Sequence, residues 1–312
     1  MAQFELTILG CGSATPTANQ NPTAQLLNMA ERFFLIDCGE GTQRQLRRMK
    51  LRMGKINHIF ISHLHGDHYF GLIGLISTYH LMSRKNTLHV YGPPALEEIL
   101  NLQMRCSNTE LGFKLQFHPT QADGVNLIFE DKKVEVFSFP LRHSIATTGF
   151  LFQEKLRDRN LISAKIREYK IPIYALNHIK QGADYTTEEG RVIHNTALTT
   201  DPPRPLSYAF CSDTAYAQRT AEFVKGVDLL YHESTFLEED KSRAKNTRHS
   251  TAMQAAKVAE AAGTRHLLLG HYSVRYDDLS LFAKEAASIF KNVTAAAEGM
   301  RIIAGADEIT IL

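Results

Sequence analysis

His58-Ile-Phe-Ile-Ser62-His63-Leu64-His65-Gly66-Asp67-His68 puts four potential metal ligands into six positions, directly behind a short apolar strand. A strand end running into a loop can aim alternate side chains into one pocket, and imidazole and carboxylate are ligands that zinc accepts. Gly66 permits a tight turn that brings both halves of the motif inward. Next comes Tyr69–Met82, with Phe70, Ile73, Leu75, Ile76, Tyr79 and Leu81 on one apolar face at helical spacing. The motif therefore lies at a strand–loop–helix junction of an α/β chain. A solitary histidine is ordinarily a surface or core residue, and His58, His80, His89, His118 and His266 are read that way. Four ligand-type residues at this spacing are read as a metal site.

Working outward, later strand ends offer further ligands. His143 follows the apolar run Val134–Leu141, Asp213 follows Tyr208–Ser212, and His271 follows His266–Gly270. All three can converge on the same edge and complete a two-metal site. Asp213, which precedes a helical pattern, also suits a helix cap. Short strands are expected at Phe4–Leu9, Phe33–Asp37, Asn57–Ser62, Leu88–Tyr91, Val134–Phe139, Ser207–Cys211, Val227–His232 and Arg265–Leu269. Helices are expected at Ala215–Val224, Thr251–Ala262 and Leu279–Phe290, the second capped by Ser250 or Thr251. Strands mixed with helices throughout indicate layers and not separate all-α and all-β halves.

From Leu151 to Pro205 that rhythm breaks. Lys155, Arg157, Arg159, Lys165, Arg167, Lys170 and Lys180 outnumber Glu154, Asp158 and Glu168, and the stretch ends in the stiff connector Asp201-Pro-Pro-Arg-Pro205. A long insertion without core-forming pattern projects from its domain and often carries function. Its basic side chains suit phosphate contacts that give affinity without reading sequence; mixed charge is also the ordinary make-up of a solvated surface.

The chain has 312 residues, 44% of them hydrophobic, enough for a large core. No run of about 18 apolar residues suggests a membrane span, and the first residues lack a leader pattern, so a soluble cytoplasmic protein is expected. Cys11, Cys38, Cys106 and Cys211 form no Cys-x-x-Cys pair and are read as buried reduced thiols. A net charge of +2 leaves nucleic-acid binding to local patches.

The ligand series His63, His65, Asp67, His68, His143, Asp213 and His271 resembles that of the metallo-β-lactamase superfamily. Asp37 in Phe34-Leu-Ile-Asp-Cys-Gly-Glu40 resembles its first motif, a carboxylate that orients ligating imidazoles. His232-Glu-Ser-Thr235, His249-Ser-Thr251 and His271-Tyr-Ser-Val-Arg-Tyr276 narrow the resemblance to the ribonuclease Z family, which removes the 3′ trailer from precursor tRNA. The resemblance implies a four-layer αβ/βα sandwich, one catalytic domain over residues 1–312, with residues 151–205 as an inserted flexible basic arm. It implies two Zn2+ per chain, one held by His63, His65 and His143, the other by Asp67, His68 and His271, with Asp213 bridging. Asp67 would take a proton from the nucleophilic water. His249 would donate one to the departing 3′-oxygen, oriented by Glu233. Expected partners are precursor tRNA and a second copy in a homodimer, with no membrane and no DNA.

Two places depart from the family pattern. Only Pro172 in Ile171-Pro-Ile-Tyr-Ala-Leu176 remains of a Gly-Pro-rich turn in the arm. Ala18 and Gln20 stand where an early loop usually offers cations toward the acceptor end. Two rival readings are a hydrolase of the same superfamily acting on a thioester, lactone or small phosphodiester, and a noncatalytic RNA-binding scaffold.

Overall fold

A computed structural model of the chain describes residues 4–312; Met1 to Gln3, the start of the segment without a leader pattern, lie outside the described residues. In chain order, six strands begin the fold: Phe4–Gly10 (β1), Ala24–Met29 (β2), Arg32–Ile36 (β3), Ile56–Phe60 (β4), Leu88–Gly92 (β5) and Leu115–Pro119 (β6). Asn126–Glu130 (β7), Val134–Leu141 (β8) and Thr147–Glu154 (β9) start a second sheet. Four two-residue strands follow, Asn160–Leu161 (β10), Tyr185–Thr186 (β11), Val192–Ile193 (β12) and Thr199–Thr200 (β13). Ser207–Cys211 (β14), Leu229–Glu233 (β15), His266–Gly270 (β16) and Val293–Ala295 (β17) complete the second sheet. Arg301–Ala304 (β18) and Ile309–Ile311 (β19) return to the first.

The first sheet has the order β19-β18-β1-β2-β3-β4-β5-β6, the second β17-β16-β15-β14-β9-β8-β7. Strands β3 to β6 are parallel, as are β14 to β17. Strands β15 and β16 are buried along nearly their whole length, the mark of strands covered on both faces. Between the sheets, Phe60 meets Phe150 and Phe152 at ring separations of 5.5 and 5.3 Å, and Phe34 meets Phe152 at 5.3 Å. On the far face of the first sheet Leu35, Ile59 and Val90 pack with Leu72, Leu75 and Leu96 of two helices. Helix Ala252–Ala262, capped by Thr251 and Gln254 in a capping box, supplies Ala255, Ala256 and Ala259 to the core of the second sheet. The chain is thus an α/β protein in four layers.

Several elements differ from expectation. The helix after the metal motif starts at Gly66, so Asp67 and His68 occupy its first turn. Gly66 makes no turn; it opens the helix, with the ring of the exposed Phe70 lying over it. The buried face of this helix is His68, Leu72, Leu75, Ile76 and Tyr79, while Phe70 and Leu81 are exposed. The stripe is rotated because His68 must face inward. Of Ala215–Val224 only Thr220–Phe223 is helical; the Ala215 amide bonds to the Arg142 carbonyl, which holds the preceding residues in a loop. The last expected helix is Ser280–Ala286, shorter than its pattern. Cys106 is exposed at the end of helix Ala95–Cys106, whereas the other three thiols are buried.

The chain divides into two compact units, one up to Gln153 and from Leu206 onward, the other Glu154–Pro205. The smaller unit corrects the expectation of a stretch without core. Ile171, Ala175, Ile179, Ile193 and Leu198 are buried together, with Leu161, Ile166 and Tyr185 against them. Its helices and strands run two to six residues, too short for any periodicity to register.

Candidate metal centre

The seven expected ligands come from the C-terminal ends of strands in both sheets and from the first turn of helix Gly66–Leu81. They meet as two nitrogen-rich groups. His65 Nδ1 lies 3.0 Å from His63 Nε2 and 3.2 Å from His143 Nε2. His68 Nε2 lies 3.3 Å from His271 Nε2, with Asp67 Oδ2 3.5 and 3.4 Å from those two nitrogens. Asp213 stands between the groups. Its Oδ2 is 3.5 Å from both His63 and His143, and its Oδ1 is 3.1 Å from His68 and 3.0 Å from His271. A cavity of about 350 Å3 opens over them, bordered by Ser13, Ala14, Ser144 and His249.

Imidazole nitrogens facing one another this closely need an electrophile between them, and on four of the five rings the outward nitrogen is already committed. His68 Nδ1 donates to Asp37 Oδ2 at 2.6 Å, and His143 Nδ1 donates to the Arg248 carbonyl at 3.0 Å. Ser62 Oγ donates to Asp37 Oδ2 and accepts from His63 Nδ1 at 3.0 Å. Thr235 Oγ1 donates to Glu233 Oε2 and accepts from His271 Nδ1 at 3.0 Å. On these four rings the outer nitrogen holds its proton on a fixed acceptor, which leaves the inner nitrogen to bind metal, as in metal-ligating histidines. The donor set fits metal ions, and the His/Asp cluster is a metal-binding arrangement.

Charge agrees with this. Burial, then the neighbouring imidazoles, hold His63 well below its usual range, so it stays neutral. Burial alone would depress His68, but Asp213, Asp37 and Asp67 hold it well above, a field that attracts cations. Burial opposes ionisation of Asp213, yet His271, His68 and His63 keep its carboxyl well below the carboxylate range.

Three residues of the site, Asp37, Asp213 and His271, have left-handed backbones with φ of 53°, 57° and 62°. Non-glycine residues take that conformation at a cost and hold it where packing over-determines it, commonly at functional sites.

Beside the cluster, His249 Nδ1 donates to Glu233 Oε1 at 2.8 Å, and Glu233 also accepts the Thr214 and Thr235 amides. Burial works against charge on His249, but Glu233, then Asp213, raise the imidazole to about 9. Of the basic residues in the smaller unit, Arg157 pairs with Glu154, Arg159 with Asp201 and Lys165 with Glu168. Arg167, Lys170 and Lys180 pair with no carboxylate among the described residues.

Three groups that shape the site were not among the expected residues. Ser62 and Thr235 orient ligand rings, and the Ala14 amide donates to Asp67 Oδ2 at 2.7 Å. Ser62 and Thr235 stand inside the histidine-bearing motifs, so their hydroxyls were legible as donors; a backbone amide from a distant loop leaves no trace in sequence.

A sequence-family model described as Anti-Pycsar protein Apyc1 matches residues 4–290. Ribonuclease Z of Bacteroides fragilis (strain YCH46) is 48% identical over 97% of this chain and 99% of its own length. The crystal structure of human tRNase Z, short form, superposes with a TM-score of 0.71 at 29% identity, covering 96% of this chain and 99% of that one. The metallo-β-lactamase fold protein YhfI of Bacillus subtilis shares the fold, with a TM-score of 0.68 at 19% identity over 96% of this chain and 99% of its own.

Proposed function

The chain belongs to the ribonuclease Z family, as it does to the family described as Anti-Pycsar protein Apyc1, and from that membership we propose that it is an endoribonuclease that removes the 3′ trailer from precursor tRNA. Hydrolysis leaves a 3′-hydroxyl on the tRNA and a 5′-phosphate on the trailer. The observation that carries the reading is the pairing of two inward-facing donor groups with the Glu233-bonded imidazole of His249 at one cavity.

Two Zn2+ are the proposed cofactors. His63, His65 and His143 would hold one and Asp67, His68 and His271 the other, with Asp213 placed to serve both. Bound there, the ions would supply a nucleophile at neutral pH and neutralise charge on the phosphoryl oxygens. Asp67, steadied by the Ala14 amide, accepts the proton of the attacking water. His249 holds its Nδ1 proton on Glu233 and delivers the other, from Nε2, to the departing 3′-oxygen. Glu233 orients that ring and stabilises its charge. Water attacks, so the adjacent 2′-hydroxyl has no part in the cut.

Residues 151–205 serve as the arm that grips substrate, Arg167, Lys170 and Lys180 being the cations free to meet phosphates. The enzyme works as a cytoplasmic homodimer. No helix among the described residues is long and apolar enough to cross a membrane.

The test is incubation of purified protein with a precursor tRNA, mapping the cut and counting bound zinc. A single cut at the trailer boundary with about two zinc ions per chain is expected. Intact tRNA beside rapid hydrolysis of a small phosphodiester would move the assignment to another hydrolase of the superfamily.

A further inference from the structure

Away from the metal centre, β4, β5 and β6 carry a second run of imidazoles. In the parallel register His58 lies opposite His89, and Tyr91 opposite His118. His58 and His89 stack at 4.9 Å with planes 15° apart, and Tyr91 stacks on His118 at 4.4 Å. His58 is the inner member, packed against Phe34 and against Phe129 of β7. His89 and His118 are only half-buried, and β6 and β7 are the edge strands of their sheets, so these two rings are reachable from solvent. His89 Nδ1 and His118 Nε2 lie 2.9 Å apart.

We propose that His89 Nδ1 and His118 Nε2 form a two-imidazole site for a borderline divalent transition ion, Zn2+ in the first instance, separate from the metal centre.

The geometry is that of the centre itself, where facing nitrogens stand 3.0, 3.2 and 3.3 Å apart. Two nitrogens each about 2.0–2.1 Å from a tetrahedral ion are about 3.3–3.4 Å apart. A few tenths of an ångström of side-chain movement opens the pair to that span. Both rings are neutral at neutral pH, since burial holds each below its ordinary range, with Lys114 and Arg84 acting on His89 and His89 on His118. One of the two facing nitrogens carries a proton that it donates to the other; when the ion binds, that ring carries its proton on its remote nitrogen instead, so none is released. The chemistry of the donors selects the ion. Asp131, the carboxylate that acts on His58, is engaged by Arg32 at 2.6 Å, and no carboxylate acts on His89 or His118, so the site offers imidazole alone. That suits zinc, copper or nickel and not magnesium or calcium. Water completes the coordination.

The test compares the full chain with His89→Asn and His118→Gln, each equilibrated with buffered excess Zn2+ and analysed for ions per chain. The unsubstituted protein is expected to hold one ion more than either variant, with pre-tRNA cleavage equal in all three. In the unsubstituted chain the 15N resonances of His89 Nδ1 and His118 Nε2 are expected to shift when zinc is added. Equal ion counts would overturn the site, and so would an extra ion that survives in both variants. Should a variant fail to fold, unmoved imidazole resonances in the unsubstituted chain overturn it alone.

Discussion

Thr235 serves two histidines through one hydroxyl. Its Oγ1 donates to Glu233, accepts from His271 Nδ1, and lies 3.2 Å from His249 Nδ1. Thr235→Val keeps the shape but leaves the outer proton of His271 without an acceptor. Metal affinity is then expected to fall about 10- to 100-fold, as is usual when a ligand's outer partner is removed; competition with a chelator measures it. Glu233→Gln removes the charge that supports a protonated His249. The expected result is a fall in kcat of about 100-fold or more, general-acid catalysis being worth roughly 10²–10⁴-fold, with tRNA affinity unchanged. Weakened binding at an unchanged kcat would place Glu233 in substrate capture instead.

Helix Gly66–Leu81 delivers Asp67 and His68 because its first turns press on the loop after β3. The Cys38 amide donates to the His68 carbonyl at 2.7 Å and the Gly71 amide to the Cys38 carbonyl at 2.9 Å. A Cβ on Gly71 would lie 2.1 Å from the Gly39 carbonyl oxygen, so Gly71→Ala must push helix and loop apart. Loss of about 1–3 kcal/mol of stability, the range for overpacking, is expected in denaturant unfolding, together with weaker metal retention. Strand β4 carries a different liability. Burial, then His89 and His118, lower His58 to about 4. Between that value and its unfolded value near 6.5 the unfolded chain binds more protons, so stability contributed by neutral His58 is lost as pH falls from about 6.5 toward 4. In His58→Gln the denaturation midpoint should fall less steeply across that window than in the unsubstituted protein. Parallel curves would show that His58 does not titrate there.

At the scale of the whole molecule, the two sheets bring the metal cluster together while Glu154–Pro205 forms its own compact unit with its own core. If that unit grips substrate, replacing it by a short Gly-Ser linker should lower pre-tRNA cleavage far more than hydrolysis of a small phosphodiester. The slope of log affinity against log salt should flatten too, by about 0.7–0.9 for each phosphate that the unit no longer neutralises. Equal loss of both activities would make the unit a structural support of the larger one.

His63, His65, Asp67 and His68 were legible because their spacing along one strand–helix junction is local, and the parallel core strands because their apolar runs are continuous. His143, Asp213 and His271 were legible as polar residues at strand ends, though meeting at 3.0–3.5 Å depends on two sheets packed face to face. The left-handed backbones of Asp37, Asp213 and His271 and the Ala14 amide on Asp67 belong to tertiary structure alone. So does the late start of the helix at Thr220, where a long-range hydrogen bond to Arg142 overrode a helical pattern. Residue type and local period determine which groups can bind metal. Only the closure of distant segments, at an entropic cost the core must offset, decides where their lone pairs point.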